Sequence, residues 1–212
     1  MCGGPVLNHN FPHKPLQIDT IIGVLSVWSF KCNAMAMNSK PKTLLHTELT
    51  LPAKLRTEMA VLTNTLLASA LDLYSHAKQA HWNVRGMDFI AIHELFDKVA
   101  IEAENHADEL AERAGQLGSG VDGTLRAAVK VSQLHEYPLG IASSKEHIHA
   151  LAASLGAFGK LLLDGIKQAD EAEDPVTVDI LTSICRAVDK TLWFVESHTA
   201  LEAAPQSRKR AE

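Results

Sequence analysis

Residues 55–86 read LRTEMAVLTNTLLASALDLYSHAKQAHWNVRG, and the spacing of their apolar side chains is the strongest structural signal in the chain. These side chains recur about every 3.6 residues, as on one face of an α-helix that packs against a core. The period predicts a helix from about Leu51 to about Trp82. Pro52 suits its first turn, because proline lacks an amide hydrogen that this turn would leave unbonded. Residues 83–86 are predicted to form a turn.

The same helical period continues towards the C-terminus. It predicts a second helix over 88–117, which the stop signal Gly118 follows. A third helix is predicted over 143–169, because Ser143 and Glu146 have the spacing of a capping box.

A fourth helix is predicted over 174–200, because Asp174 is a good N-cap and Pro175 suits the first helical position. The connection over 118–142, between the second and third helices, is too long for simple antiparallel neighbours. It is predicted to contain a short helix over 124–132. No strand pattern is present. The expected fold is therefore all-α: a ferritin-like four-helix bundle with one long crossover that includes a short extra helix.

Composition excludes several classes of protein. The 212 residues have a net charge of -5, so the chain is not a simple basic nucleic-acid binder. Three cysteines, Cys2, Cys32 and Cys185, make no disulfide framework and no paired zinc motif. Cys185 is expected to pack in the core of the fourth helix. The sequence has no run of eighteen apolar residues, so no membrane-spanning helix is predicted.

The chain divides by composition into three parts. Residues 1–40 are expected to be an extension that is disordered or foreign to the natural protein, with Met35 or Met37 as alternative starts to Met1. A signal peptide is a second interpretation of this part, because a short apolar patch follows Lys14. Residues 41–204 are expected to form the helical domain. The polar remainder, 205–212, is expected to be a basic tail.

The second helix has four candidate metal ligands on one face. At 100° per residue, His93, Asp97, Asp108 and Glu112 fall at about 0°, 40°, 60° and 100°. They form two pairs with four-residue spacing, which lets two side chains meet on one metal. A solvated helix face is the ordinary alternative for either pair alone.

The two pairs are too far apart to share a metal within one chain. Asp97 and Asp108 are separated by about 16.5 Å along the helix axis. Two such helices that pack antiparallel across a two-fold axis would bring the first pair of one chain to the second pair of the other. His81, at the end of the first helix, is expected to approach His93. Imidazoles with carboxylates suit Fe(II).

Three motifs on these helices resemble the Dps family, the miniferritins also known as DNA-binding proteins from starved cells. The motifs are KQAHWNVRG at 78–86, HELFD at 93–97 and DELAER at 108–113. The similarity spans about residues 50–200 and includes DIL at 179–181 and DKTLWF at 189–194.

This resemblance implies a function and a set of site residues. It implies a ferroxidase that oxidises Fe(II), usually with hydrogen peroxide, and stores the Fe(III) mineral in a hollow dodecamer. It also implies a cytoplasmic, nucleoid-associated protein that protects DNA from oxidative damage. The family's iron ligands, shared between two-fold-related subunits, correspond to His81, His93, Asp97, Asp108 and Glu112.

Two alternatives remain at this point. Di-iron proteins with the site inside one bundle have Glu-x-x-His on two helices. Here only Glu146 and His149 have that spacing, and capping with solvent exposure is the simpler role. The second alternative is a DNA-compacting shell without significant iron turnover. The candidate basic contacts to DNA are Lys40, Lys42, Lys54, Arg56, Arg208, Lys209 and Arg210. The alternative interpretation is that these residues belong to tails that keep the protein soluble and bind nothing.

Overall fold

The apolar period of residues 55–86 corresponds to one long helix that buries a side along its whole length. A computed structural model of the chain describes residues 44–199, and in this part it contains five α-helices and no strand. The all-α fold with a single crossover is therefore confirmed. The helices are α1 (Ala53–Asn83), α2 (Phe89–Gln116), α3 (Leu125–Val131), α4 (Ser144–Glu171) and α5 (Pro175–Glu196).

Side-chain caps begin three of the helices where the sequence predicts them. Ser143 and Glu146 form a complete capping box at α4. Asp174 accepts a hydrogen bond from the Thr177 amide at α5, and Pro175 occupies the first turn. Two predicted boundaries differ slightly from the structure. Pro52 lies at the N-cap of α1 and not inside its first turn, and α5 ends at Glu196 and not near residue 200.

Two helical hairpins, α1–α2 and α4–α5, pack together around one apolar core. Phe96 of α2 and Phe158 of α4 are fully buried, as are leucines from all four long helices. Gly165 is at a close approach of three helices. A Cβ added to it would lie 3.2–3.3 Å from side chains of Leu62, Leu66 and Leu181. Cys185 is 6% exposed and packs in this core, as predicted.

Polar contacts hold the crossover against α1 and α4. The Ser132 hydroxyl donates to the Asp72 carboxylate at 2.6 Å, and the Gln133 amide donates to the Ser69 hydroxyl at 3.2 Å. At the end of the crossover, Ser143 forms an isolated parallel bridge with Arg85, in the α1–α2 turn. The crossover is therefore fixed at its centre and at its C-terminal end.

The histidines outside the ligand motifs are divided between the interior and the surface. His76, His106 and His147 are buried, and His135 and His198 are exposed. Two of the buried histidines lie within hydrogen-bond distance of hydroxyl groups. His76 Nδ1 is 3.0 Å from the Ser154 hydroxyl, and His147 Nδ1 is 2.8 Å from the Tyr137 hydroxyl.

A buried ion pair joins the end of α2 to the start of α5. Arg113 Nη2 donates to both carboxylate oxygens of Asp174 at 2.8 Å, and Nε donates to the Thr177 hydroxyl at 2.9 Å. Burial acts to raise the pKa of Asp174, but hydrogen bonds from Thr177 and Arg113 outweigh it and hold the pKa below its usual value. Asp174 therefore stays ionised as both cap and counter-ion.

The terminal segments fall outside the described residues. These include the predicted extension at 1–40, the tail at 205–212, and both Cys2 and Cys32, so the domain boundaries remain predictions. Within residues 44–199, no helix has the length and apolar character needed to cross a membrane.

The ion pair of Arg113 leads to a stability prediction. Asp174→Ala should lower the free energy of unfolding by about 3–5 kcal/mol, because it leaves a buried guanidinium without its counter-ion. Asp164→Ala is the matched control: it removes the same charge from an exposed pair with Lys160 and should cost at most about 1 kcal/mol. Denaturant unfolding at fixed protein concentration measures both. Equal losses would contradict a special role for the buried pair.

Candidate metal centre

The end of α1 meets the start of α2 through two histidines. His81 Nδ1 lies 2.8 Å from the backbone carbonyl oxygen of His93, and His93 Nδ1 lies 2.8 Å from the carbonyl oxygen of His81. The two rings stack with centroids 3.7 Å apart and an angle of 21° between their planes. The predicted approach of His81 to His93 is present in the structure.

The reciprocal contacts determine the tautomer of both rings. A carbonyl oxygen only accepts, so Nδ1 of each imidazole must carry the hydrogen. Each Nε2 of the neutral ring then has a free lone pair, and no hydrogen bond within residues 44–199 engages it. This is the arrangement in which a backbone carbonyl orients a metal-ligating histidine.

Asp97 lies beside this histidine pair and is paired with a lysine. Its Oδ1 is 2.7 Å from Lys78 Nζ and 4.0 Å from His81 Nδ1. The hydrogen bond from Lys78 is the main reason that the pKa of Asp97 lies below its usual value. Lys78 Nζ also lies 5.6 Å from the ring centroid of Trp82, which is 61% exposed. The carboxylate is therefore ionised, but a cation already occupies one side of it.

Asp108 and Glu112 form the second half of the candidate site. Both are exposed on the C-terminal half of α2, about 16.5 Å (Asp108) and about 22.5 Å (Glu112) along the helix from Asp97. Between residues 44 and 199, no three His, Cys, Asp or Glu side chains converge closely enough to hold a metal ion. One chain thus places Asp97 near the stacked His81 and His93 without forming a three-ligand cluster, and it does not bring Asp108 and Glu112 to them.

The end of α2 that carries Asp108 and Glu112 is acidic. Burial, followed by the charges of Asp108 and Glu112, raises the pKa of the adjacent Glu109. Arg113 is next in sequence, but its guanidinium is committed to the buried pair with Asp174. This end of the helix therefore has an electrostatic field that favours a bound cation.

Two apolar side chains, Ile90 before the first pair and Ile101 between the two pairs, lie on the same exposed face of α2. Ile90 is 63% exposed and Ile101 is 52% exposed. They fall at about 60° and 80° on the scale that places the four candidate ligands between 0° and 100°. Single exposed isoleucines are common, but two in phase with the ligands suit a helix face that a second helix covers.

Two functional contacts were not predicted from the sequence. Lys78 and Arg113 each lie in one of the quoted motifs, but the sequence predicted no contact for either side chain. Lys78 precedes His81 by one helical turn, so its position on the ligand side of α1 was a signal that could have been used. The partner of Arg113 lies 61 residues away and left no local signal.

The candidate DNA contacts are mostly outside the described residues: these are Lys40, Lys42, Arg208, Lys209 and Arg210. Lys54 is exposed and lies 3.9 Å from Glu58. The Arg56 guanidinium donates to the backbone carbonyls of Leu51 and Leu117 at 3.2 Å and so links α1 to the end of α2. A DNA contact at Arg56 stays a prediction.

Comparison with known proteins agrees with the fold and with the motifs. The ferritin-like domain family matches residues 61–203. The DNA protection during starvation protein of Agrobacterium fabrum is 40% identical over 148 residues, which is 70% of this chain and 91% of that protein. The structure of Dps from Microbacterium arborescens in the high iron form is 32% identical, with a TM-score of 0.65 over 73% of this chain and 98% of that one. DpsA14 from Streptomyces coelicolor has a TM-score of 0.72 and 28% identity, and it covers 77% of this chain and 96% of its own.

The bundle with one crossover and these matches define a ferritin-like protein. Within that class, the chain belongs to the Dps family, as its relatives and structural neighbours are named.

The ion pair at Asp97 leads to a prediction about metal affinity. Lys78→Met keeps the length of the side chain and removes the ammonium group, which competes with a metal ion for the carboxylate. We expect Fe(II) to bind several-fold more tightly, since a one-unit change in competing charge near a site is worth about 1 kcal/mol or more. Anaerobic titration calorimetry of the assembled protein measures the affinity.

Lys98→Met is the matched control for this substitution. It removes the same charge from the residue next to Asp97, and Lys98 makes no ion pair within residues 44–199. Unchanged or weaker binding in Lys78→Met would mean that the ammonium orients Asp97 for the metal and does not compete with it.

Proposed function

We propose that this protein is a ferroxidase whose iron site is shared by two protomers. His81, His93 and Asp97 of one protomer would face Asp108 and Glu112 of the other, with Fe(II) as the substrate. The observation that supports this most directly is the reciprocal histidine pair. It leaves an Nε2 lone pair on each ring, with the ionised Asp97 carboxylate near the His81 ring, and Asp108 and Glu112 lie further along α2.

The ligand types suit the proposed chemistry. Neutral imidazoles and carboxylates bind Fe(II), and carboxylates stabilise the Fe(III) product more strongly because its charge is greater. Two Fe(II) ions and two protons reduce one hydrogen peroxide to two waters, and two Fe(III) ions result. The reaction consumes both reagents from which hydroxyl radicals form. The hydrogen bonds at Nδ1 hold the two rings in place while the charge on the metal changes.

The assembly is part of this proposal. We propose a homo-oligomer, expected to be a hollow dodecamer, in which the oxidised iron is stored as a mineral. The high iron form of the Microbacterium arborescens protein supports iron storage by relatives of this fold. The exposed apolar residues Ile90 and Ile101 support a second helix across this face of α2. A cytoplasmic, nucleoid-associated location is proposed with it.

Mixed particles test the shared site. Subunits with His93→Ala and Asp97→Ala lack one half of the site, and subunits with Asp108→Ala and Glu112→Ala lack the other. Each type alone should be inactive. Assembled together, their mixed dimers hold one site with every ligand and one that keeps only His81, so Fe(II) oxidation followed by absorbance should return.

Particles assembled from a single variant type and then pooled without exchange are the control, and they should stay inactive. Full assembly of mixed particles without any return of oxidation would refute a site shared across the two-fold axis.

DNA protection is the second part of the proposal. The relatives named DNA protection during starvation protein support it. The basic residues proposed to contact DNA are Lys40, Lys42, Lys54, Arg208, Lys209 and Arg210. Repetition of weak contacts over many subunits would let an acidic protein retain DNA. A DNA-compacting shell without significant iron turnover is the alternative function, and the mixed-particle experiment distinguishes it.

Removal of both basic ends tests the DNA contacts. A variant without residues 1–44 and 206–212 should lose most of its DNA retention in gels, because binding to phosphate depends on these charges. Its Fe(II) oxidation should stay unchanged, since no proposed ligand lies in either segment. Retention that survives the truncation at low salt would assign the DNA contact to the helical domain.

A further inference from the structure

A tyrosine in the crossover is hydrogen-bonded to a buried histidine of α4. The Tyr137 hydroxyl lies 2.8 Å from His147 Nδ1, and the two residues are 9% and 1% exposed. Their rings are 6.1 Å apart and nearly parallel, at 14°. Neither residue belongs to a motif that contains a candidate metal ligand, and the proposed iron binding gives the pair no role.

The hydrogen bonds determine which atom holds the proton. His147 Nε2 is buried without a partner, and the contact to His147 is the one hydrogen bond that the Tyr137 hydroxyl makes within residues 44–199. If Tyr137 donates, only the Nε2 hydrogen lacks a partner. If His147 donates instead, both the phenolic hydrogen and the Nε2 lone pair lack one. The first arrangement costs less, so the phenol donates to Nδ1.

Burial keeps both groups neutral in this arrangement. It raises the pKa of the Tyr137 phenol and lowers the pKa of the His147 imidazole. The phenol thus cannot release its proton to water at neutral pH, and the imidazole is a free base that accepts one. Loss of an electron makes a phenol strongly acidic, so a hydrogen-bonded base makes its oxidation easier.

Two further aromatic rings flank this pair. The ring of Phe96, the residue before Asp97, lies 6.5 Å from the His147 ring in an edge contact. On the other side of Tyr137, the His76 ring lies at 5.2 Å. His76 Nε2 is in turn 3.3 Å from the Asp72 carboxylate. The negative charge of Asp72 favours a transient positive charge in this cluster.

We propose that Tyr137 is a redox-active residue that traps strong one-electron oxidants, with His147 as its proton acceptor. A hydroxyl radical takes one electron from Tyr137 and becomes a hydroxide ion. The O–H bond of Tyr137 breaks, its proton forms an N–H bond at His147 Nδ1, and a neutral tyrosyl radical remains. One Fe(II) ion then returns an electron and becomes Fe(III), while His147 returns the proton.

This inference rests on the proposed function for its oxidant alone, since Fe(II) and peroxide together generate hydroxyl radicals. It goes beyond iron oxidation, because it gives the protein a way to intercept the radicals that escape the two-electron reaction. The electron comes from a residue that the substrate itself regenerates.

The chain contains two tyrosines, so the test has a natural control. The assembled protein is loaded with Fe(II) without oxygen, mixed with a limited amount of peroxide and frozen within milliseconds for electron paramagnetic resonance. We expect a tyrosyl signal in the wild type and in Tyr74→Phe, and no tyrosyl signal in Tyr137→Phe. Ring-deuterated tyrosine should narrow the signal and so separate it from radicals on Trp82 or Trp193. Iron oxidation is followed by absorbance in the same samples.

Two further arms make the outcome decisive. Azide radicals produced by pulse radiolysis oxidise the protein without iron, so a Tyr137 signal there supports the inference even if iron oxidation fails. His147→Gln should greatly reduce the tyrosyl signal in both the peroxide and the azide-radical experiments. As a control for assembly, Tyr137→Phe and His147→Gln particles should keep the wild-type mass. Three results would overturn the proposal. The tyrosyl signal could disappear in Tyr74→Phe, it could persist in Tyr137→Phe, or the wild type could show no tyrosyl signal under azide radicals.

Discussion

His81 and His93 each hydrogen-bond to the backbone carbonyl of the other, and this reciprocal contact fixes the end of α1 against the start of α2. Both rings must then hold a hydrogen at Nδ1, which leaves Nε2 for a ligand. The same contact holds the connection between α1 and α2. Asp97 lies one helical turn after His93 on α2. The position of the histidine half of the candidate site thus depends on backbone atoms of the two ligands themselves. Substitution of either side chain removes one ligand and one of the two contacts that orient the other.

The straightness and length of α2 impose the next constraint. A single helix over Phe89–Gln116 separates Asp97 from Asp108 by about three turns, so no rotamer change brings them together. In the proposed site, only association of two protomers removes this separation, and assembly would therefore be a condition for chemistry. The buried pair of Arg113 and Asp174 holds the far end of the same helix to α5, so both ends of α2 are fixed within the protomer.

The sequence predicts most of the fold because its signals are local. Helix periods, the capping box at Ser143 and the Asp174–Pro175 start all depend on residues within one or two turns of one another. The ligand pairs on α2 were visible for the same reason. The Lys78–Asp97 pair and the Tyr137–His147 pair were not predicted, because each joins two elements whose rotation about their axes only the packed bundle determines. The hydrogen bonds of Arg56 to backbone carbonyls were not predicted for the same reason, because tertiary packing determines them.

The bridge between Arg85 and Ser143 has a consequence for the order of folding. It joins residues 58 positions apart, with all of α2 and the crossover between them. Closing so long a loop costs conformational entropy that is recovered only when α4 docks on the bundle. The hairpin of α1 and α2, by contrast, needs only a short turn. A growing chain would therefore pair α1 with α2 first and fix the connection beside His81 last. The end of the bundle with the candidate metal site then becomes rigid only after nearly the whole domain has been synthesised.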